Sequence, residues 1–515
     1  MYLIRNVLIS LTEEIDLTKA LAKKLNIPQR NIRKIIPLRK SLDARKKNKL
    51  KYNFTLKAEI DFNLKYNHEV QKYKKPQEYI QSINKITDAH PFIIGSGPAG
   101  LFAALALVEK GFQPFIFERG DKIENRIKKV SEFWDNGTLD PESNAQFGEG
   151  GAGTFSDGKL TTRKNDVYTD RVAEYLIKFG ADQNITYEAL PHLGTDGLRK
   201  IILNIRNFLQ QKNCKFYWNN KLENIVVEKN KVRSVLIKKE IYSPEIVILA
   251  LGNSPRDTIE ILSEIIHIEN KPFAVGFRIE HKQDYLNDTF YGSQTDLNIS
   301  GPATYRLTAQ ADNRGIYSFC MCPGGFVIGT ASEENSVVTN GMSFANRESK
   351  FGNSAVVVTV NDRDYGKHRL AGLDFQRKIE KQCFTSSHPY FAPTQPAANF
   401  MKSLASGKRY ETSYRPGTYD FDLNSIYPDD ITNALKIGLK TFDKRAAGFI
   451  ENGIFIAAET RTSSPVSIIR DHRTYSTKNV INLFPVGEGS GHAGGIMSSA
   501  VDGYKCGLTF YNSEK

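Results

Sequence analysis

The chain has 515 residues, of which 40% are hydrophobic and 25% charged, and a net charge of +13. That length is too great for one hydrophobic core and is typical of a globular protein with two or three domains. Its five scattered cysteines, an odd number, exclude a complete disulfide framework and favour a reducing compartment. The start, MYLIRNVLISLTEEIDL, lacks the long apolar core of a signal peptide. We therefore expect a cytoplasmic protein.

Residues 1–70 are predicted to form a small basic α+β module, with a linker at 71–90. Residues 1–90 contain 20 Lys and Arg against 9 Asp and Glu, which is +11 of the total charge. The densest stretch, residues 30–52, could bind nucleic acid or an anionic surface. The favoured interpretation is a solvated basic face, because charge runs usually face water.

From residue 91 the pattern changes to apolar strands and helices. PFIIG and PFIFERG read as buried strands, and PAGLFAALALVEKG between them reads as a helix. This is a βαβ unit of a parallel sheet. The uncharged stretch at residues 92–108 is slightly short for a membrane span and is interrupted by Gly-Ser-Gly-Pro. No membrane span is therefore predicted.

The first chemical motif is IIGSGPAG, in which glycines occupy positions 95, 97 and 100. It follows an apolar strand and opens a helix, which is the context that a dinucleotide-binding turn requires. Glu118, at the end of the next strand, suits the ribose hydroxyls and would repel a 2′-phosphate. This motif alone leaves NAD and FAD as alternatives.

Two further glycine-containing stretches also follow apolar strands: EIVILALGN at 245–253 and FPVGEGSGHAGG at 484–495. With the first motif they resemble the glutathione-reductase-like superfamily of FAD-binding oxidoreductases. In that superfamily the late motif is usually Gly-Asp, whereas this chain has Gly487-Glu488. A closer resemblance, to an uncharacterised bacterial family of FAD-dependent dehydrogenases, covers most of the chain. Its motifs include FGEGGAGTFSDGKLTTR, KPFAVGFRIEH, SFCMCPGG and ETRTSSPVSIIRD.

The resemblance implies FAD as cofactor and a Rossmann-like α/β fold with a parallel sheet. The expected FAD-binding domain comprises residues 91–270 and 441–515, with a mixed α+β substrate domain inserted at 271–440. No separate nicotinamide domain is visible, so NAD(P)H is expected to bind transiently as an electron donor or not at all.

The residues expected to contact FAD lie mostly in the three glycine motifs and in the GEGGAG stretch at 148–153. GEGGAG does not follow a strand, so we interpret it as a loop beside the flavin. A C-terminal helix is predicted to begin at about Gly494–Gly495, with its first N–H groups facing the flavin. The full set is Gly95, Ser96, Gly97, Pro98, Ala99, Gly100, Glu118, Arg119, Gly151, Gly153, Thr154, Lys159, Ile225, Ala250, Gly252, Gly487, Glu488, Gly494, Gly495 and Ile496.

The sequence evidence for redox cysteines and for acid–base catalytic residues is weaker than that for the FAD contacts. Cys320 and Cys322, in FCMC, could form a redox disulfide, but a strand with this alternation is also ordinary core. No cysteine set has zinc spacing, so no metal is predicted. The catalytic residue is unknown, with His492, Arg461 and Glu280 as candidates.

Two functions follow. The favoured one is an FAD-dependent oxidoreductase acting on an unidentified small-molecule substrate. The alternative is a flavin-fold binding or sensing protein whose basic N-terminal module binds RNA or an anionic surface.

Overall fold

A computed structural model describes residues 1–74, 80–161, 166–404, 407–408 and 410–512. The N-terminal module comprises β1 (Tyr2–Ser10), α1 (Leu17–Leu25), β2 (Ile32–Asp43), β3 (Lys51–Ile60) and β4 (Val70–Lys72). Its strands form an antiparallel sheet in the order β2-β3-β1-β4. Leu21 of α1 packs on Ile4, Phe54 and Leu56 of the sheet. Binding of nucleic acid by residues 30–52 stays a prediction.

The next segment runs from residue 84 to residue 270. Its strands are β5 (Asn84–Ile86), β6 (Phe92–Ile94), β7 (Phe115–Phe117), β8 (Lys215–Tyr217), β9 (Leu222–Glu228), β10 (Lys231–Ile237), β11 (Glu240–Tyr242), β12 (Val247–Leu249) and β13 (Ile268–Asn270). Its helices are α2 (Pro98–Glu109), α3 (Ile123–Asn136), α4 (Tyr168–Lys178), α5 (Gly194–Gln211) and α6 (Arg256–Ser263), with a short 3-10 helix at Ala152–Phe155.

A second segment extends from residue 273 to residue 459. Its strands are β14 (Phe273–Lys282), β15 (Thr308–Ala311), β16 (Arg314–Cys322), β17 (Phe326–Gly329), β18 (Thr339–Met342), β19 (Phe351–Val360), β20 (Ala392–Pro396), β21 (Thr418–Asp420) and β22 (Ile454–Glu459). Its helices are α7 (Gln283–Phe290), α8 (Leu297–Ser300), α9 (Asp362–Tyr365), α10 (Ala371–Gln382), α11 (Ala397–Lys402) and α12 (Asp429–Arg445). The chain continues through β23 (Val466–Ile468), β24 (Leu483–Pro485), α13 (Ile496–Leu508) and β25 (Phe510–Asn512).

A five-stranded parallel sheet in the order β24-β12-β6-β7-β8 forms the centre of the first segment. Helices α2, α4, α5 and α13 cover one face, where Ile93, Ile116 and Ile248 point. The antiparallel strands β9, β10 and β11 cover the other face, where Phe92 and Val247 point. Burial on both faces explains why these strands are continuously apolar instead of alternating. The predicted α/β class with a parallel sheet is confirmed.

The second segment contains a seven-stranded sheet in the order β15-β16-β19-β14-β22-β20-β21. The chain leaves the parallel sheet after β12 and returns to it only at β24. Strand β22, which the expected division at residue 440 assigned to the C-terminal part, pairs with β14 and β20 in this second sheet. The second sheet therefore draws on residues 273–459.

Helix α2 is buried around most of its circumference, from Ala99 to Leu107. Its partner is α13, whose Gly503 lets the two backbones touch: a Cβ atom there would lie 1.9 Å from the Ala99 carbonyl oxygen. The apolar stretch at residues 92–108 is thus a strand followed by an internal helix. Within the described ranges, no helix has both the length and the apolar character needed to cross a membrane.

Candidate functional site

The turns that follow the parallel strands bring the predicted glycine motifs to one edge of the sheet. Strands β6, β12 and β24 run side by side in parallel, so their carboxyl ends lie together. The GSGPAG turn follows β6, Ala250–Gly252 follow β12, and Gly487-Glu488 follow β24. Ligands of open α/β sheets bind at this edge.

The first turn is shaped by backbone contacts that a side chain would prevent. Gly95 has φ = +107°, and a Cβ atom there would lie 2.3 Å from the Ala250 carbonyl oxygen. A Cβ atom at Gly100 would lie 1.9 Å from the Gly95 oxygen. At Gly97 a Cβ atom would make ordinary contact with Gly151 at 3.7 Å. Gly95 therefore permits the tight turn, and Gly100 permits close packing of α2 against the end of β6.

Pro98 is the first residue of α2, and no side chain of the described residues caps this helix end. The opening N–H groups of an α-helix have no partner within the helix itself. The end of α2 can therefore donate hydrogen bonds to an anion, as helix N-termini do for phosphate groups.

Glu118 lies directly after β7 and is 5% exposed. One carboxylate oxygen accepts bonds from the Ser96 amide at 2.9 Å and the Ser96 hydroxyl at 2.8 Å. The other accepts from the amides of Gly120 at 3.0 Å and Gly148 at 2.9 Å. Glu118 thus joins the GSGPAG turn to the loop that contains Gly148.

That loop, residues 144–151, is organised by Arg126, a residue that the sequence analysis missed. Arg126 is fully buried in α3 and donates only to backbone carbonyl groups of the loop. The acceptors are Asn144, Ala145, Gly148, Glu149 and Gly151, at 2.7–3.2 Å. Burial lowers the pKa of this guanidinium to about 9. In the sequence Arg126 is one of several charged residues of an amphipathic helix, so nothing there marked its role.

The GEGGAG stretch is a loop followed by a 3-10 helix, and the interpretation of it as a loop is confirmed. The Thr154 hydroxyl donates to the Glu149 carbonyl oxygen at 3.1 Å. A Cβ atom at Gly153 would lie 3.0 Å from the Ile496 side chain, at the start of α13. The loop therefore spans from the α2 turn to the N-terminus of α13.

The N-terminus of α13 opens onto free space. Gly495, with φ = +135°, is the N-cap residue of this helix, and no side chain of the described residues caps it. The predicted helix start is confirmed. A Cβ atom at Gly494 or Gly495 would meet nothing within 4 Å, and the same holds for Gly252 after β12. Gly494 and Gly495 are exposed, so the start of α13 leaves room for a cofactor.

Glu488, in the turn after β24, accepts a hydrogen bond from the side chain of Asn253, which follows Gly252, at 3.0 Å. Burial raises the pKa of its carboxyl group to about 7. The side chain is one methylene longer than the Asp usual in the superfamily that the motif resembles.

Glu488→Gln tests this shift. A folded-state pKa above the unfolded value means that the folded protein binds more protons, so its stability falls as pH rises from about 4.5 to about 7. A neutral Gln avoids this loss. We expect thermal unfolding to show Glu488→Gln more stable, relative to the parent, at about pH 8 than at about pH 5. The exposed Glu132 provides the control Glu132→Gln, which should show no such difference; equal pH dependence of all three proteins would contradict the shift.

Besides Lys159, which contacts two cysteine sulfurs, two predicted cofactor contacts lie in other surroundings. Arg119 donates to Glu142 and Asp257, each at 3.0 Å, and stacks on Phe147. Ile225 is 4% exposed and belongs to the apolar layer between β9 and the parallel sheet. Both remain predictions as cofactor contacts, although the surroundings of Ile225 are those of a core residue.

The three acid–base candidates each have a different partner. His492 pairs through Nε2 with the Ile468 carbonyl oxygen at 3.0 Å. Arg461 donates to the buried Glu380 at 2.8 Å, and the Ser413 amide donates to Glu280 at 2.8 Å. Burial raises the pKa of Glu280 to about 7 and lowers that of His492 to about 4. These candidates do not form one acid–base group through the contacts named.

All five cysteines are free thiols. Cys320 and Cys322 lie against Lys159, whose ammonium is 3.8 Å from one sulfur and 3.7 Å from the other. No group of three or more His, Cys, Asp or Glu side chains in the described parts of the chain could hold a metal ion.

Comparison with known proteins identifies two regions of the chain. Residues 272–462 match the family model "FAD-dependent protein, C-terminal domain-like", and residues 1–59 match a domain of unknown function. An uncharacterised protein from Clostridium beijerinckii is 41% identical over 98% of this chain and 97% of its own length.

Among solved structures, a flavoprotein/dehydrogenase from Cytophaga hutchinsonii is similar at 11% identity. It covers 81% of this chain and 76% of its own, with a TM-score of 0.36. CtdE in complex with FAD is 10% identical, covers 82% of this chain and 83% of its own, and has a TM-score of 0.31.

The clostridial relationship extends over nearly the whole of both chains at an identity well above that of chance similarity. The protein therefore belongs to the family of the clostridial protein, and its residues 272–462 match the C-terminal domain of FAD-dependent proteins.

Proposed function

We propose that the protein is an oxidoreductase that holds FAD at the carboxyl edge of its parallel sheet. The observation that carries the proposal is the open space around Gly252, Gly494 and Gly495, beside two uncapped helix N-termini. At these glycines an added Cβ atom would meet no protein atom, and free N–H donors of the helix ends lie nearby. Such a place suits the close approach of a dinucleotide.

Each part of the edge has a proposed role. The first N–H groups of α2 bind the pyrophosphate, and Glu118 orients the adenosine ribose by exchanging one of its present amide bonds for a ribose hydroxyl. Glu488 lies near the ribityl chain. The N-terminus of α13 faces the pyrimidine edge of the flavin, where its dipole favours negative charge. Bound FAD supplies hydride transfer, and the chain positions it and excludes water.

The test is direct. The purified protein is denatured, and the released cofactor is identified by absorbance and mass. We expect FAD close to one per chain, or stoichiometric binding of added FAD. A folded protein that neither contains nor binds FAD would contradict the proposal.

The electron donor is tested on the same sample by adding NADH and NADPH separately without oxygen. Since the sequence contains no second dinucleotide-binding turn of the GSGPAG kind, we expect any pyridine nucleotide to bind transiently or not at all, so that any bleaching of the flavin occurs without a tight complex. Stoichiometric NAD(P)H binding in the absence of flavin would contradict this expectation.

A further inference from the structure

Four side chains outside the FAD edge form a compact group that we call the sulfur cluster: Lys159, Arg278, Cys320 and Cys322. The Lys159 ammonium contacts both sulfurs. The fully buried Arg278 guanidinium lies 3.4 Å from the Cys322 sulfur and 2.6 Å from the Cys320 carbonyl oxygen. Two cations therefore face two thiols, which is the environment that stabilises a thiolate.

The backbone at this point departs from a regular strand. The pairing of β16 with β19 shifts register between Phe319 and Cys322, and Cys320 has φ = +47°. This conformation is uncommon for a residue with a side chain, and such conformations concentrate at functional positions. FCMC lies in strand β16, as one of the two interpretations expected, but Cys320 interrupts its regular alternation. Cys320 is partly exposed, whereas Cys322 is fully buried.

The two thiols differ in acidity. Contact with the Cys322 thiol, followed by the charges of Lys159 and Arg278, holds the pKa of Cys320 well below its ordinary value. Burial raises the pKa of Cys322 well above it. Two carboxylates oppose the effect of these cations on the thiol pKa values. Asp157 pairs with Lys159 at 3.0 Å, and Glu459 pairs with Arg278 at 3.4 Å.

Two side chains that contact Arg278 beside the sulfur cluster carry buried polar atoms without partners. Within the described residues, Asn353 Nδ2 and Glu459 Oε2 have no hydrogen-bond partner, although both side chains contact Arg278. A buried polar group is usually satisfied, so each such atom needs an explanation. One explanation is that these side chains change their hydrogen-bond partners during a reaction.

We propose that Cys320 and Cys322 form a redox-active cysteine pair that exchanges electrons with the flavin. The Cys320 thiolate and the Cys322 thiol form one S–S bond and release one proton and two electrons. Oxidised FAD would be the acceptor, taking the two electrons and this one proton to give the reduced anion. Lys159 is a positioning residue that holds Cys320 as the thiolate. The choice of acceptor rests on the proposed function.

One segment connects the cluster to the FAD edge. Gly153 lies beside Ile496 at the start of α13, and the Ser156 hydroxyl donates to the Gly153 carbonyl oxygen at 2.7 Å. Lys159 follows three residues later and reaches the sulfurs. The same short stretch thus borders both the proposed cofactor space and the cysteine pair.

The first experiment does not require flavin. The protein is oxidised with diamide and free thiols are alkylated before peptide mapping. We expect Cys320 and Cys322 in one disulfide-linked peptide that reverts to two alkylated thiols after reduction. The control Cys383→Ser should retain this link, because Cys383 is buried elsewhere. Separate alkylation of both thiols after oxidation would overturn the pair.

The second experiment tests the role of Lys159 through the pH profile of Cys320 alkylation. In Lys159→Gln the profile should move to higher pH, since the cation that contacts the Cys320 sulfur is lost. The exposed Lys200 gives the control Lys200→Gln, which should match the parent. Coincident profiles for Lys159→Gln and the parent would overturn the positioning role.

The third experiment is an anaerobic reductive titration of the FAD-containing protein. The pre-oxidised parent should consume twice as many reducing equivalents per flavin as Cys320→Ser. Equal consumption with FAD bound would refute electron exchange and leave the proposed function intact. Absence of FAD would refute the proposed function, and the diamide experiment would still decide whether the cysteines pair.

Discussion

Gly495→Val should produce a folded protein that loses FAD or binds it with a lowered reduction potential. A Cβ atom at Gly495 meets no protein atom within 4 Å, so the added side chain occupies the proposed cofactor space. Overpacking of a close contact costs about 1–3 kcal/mol. At 1.4 kcal/mol per decade, FAD affinity should fall roughly tenfold or more. A flavin pushed away from α13 would also lose the dipole that favours its reduced anion.

The substitution also places a β-branched residue at φ = +135°, which strains the backbone by about 1–3 kcal/mol. Gly366→Val separates the two effects, since Gly366 has φ = +92°, meets nothing within 4 Å and lies at the end of α9. We expect Gly366→Val to show comparable strain with unchanged FAD content. Flavin absorbance per chain and a spectroscopic redox titration are the measurements. Full occupancy with an unchanged potential in Gly495→Val would show that this turn does not contact the ring.

Glu118→Ala should weaken both the fold around the first turn and FAD binding. Four hydrogen bonds disappear, leaving the amides of Ser96, Gly120 and Gly148 without their acceptor. An unsatisfied buried donor costs about 1–3 kcal/mol, so we expect a stability loss on the order of 3 kcal/mol. Loss of one charge-assisted bond to the ribose, at about 1.5–3 kcal/mol, should weaken FAD binding roughly tenfold or more.

Chemical denaturation without FAD measures the stability loss, and titration with FAD at low denaturant measures the affinity. If Glu118→Ala fails to fold, Glu118→Gln keeps the shape and one acceptor oxygen, so it retains two of the four bonds and should show a smaller stability loss together with the loss of affinity. Glu132→Ala, on the exposed side of α3, should change neither quantity. Unchanged FAD affinity in a folded Glu118 variant would mean that the ribose lies elsewhere.

The parts of the site that the sequence revealed are those encoded by neighbouring residues. An apolar strand followed by closely spaced glycines is a local signal, and Gly95, Gly100 and the start of α13 were located from it. The strand order could not be read in the same way, because β22 joins the second sheet through partners on β14 and β20 that are distant in the chain.

The parts that the sequence concealed depend on long-range contacts. Arg126 binds carbonyl groups of a loop that follows its helix, and the sequence does not record which carbonyls a buried arginine will meet. Lys159 contacts sulfurs more than 160 positions away. The FCMC stretch has the alternation of an ordinary core strand. The register shift that leaves Cys320 partly exposed arises from pairing with β19, which the local sequence does not show.

The parallel pairing of β12 with β24 has a consequence for folding kinetics. The whole second sheet, within residues 250–482, lies between these adjacent strands. Closing so long a loop is entropically slow unless the intervening chain is already compact. We therefore expect the second sheet to fold first and bring β24 to its place. Until it does, the edge of β12 is exposed, so this intermediate is the species most prone to aggregate.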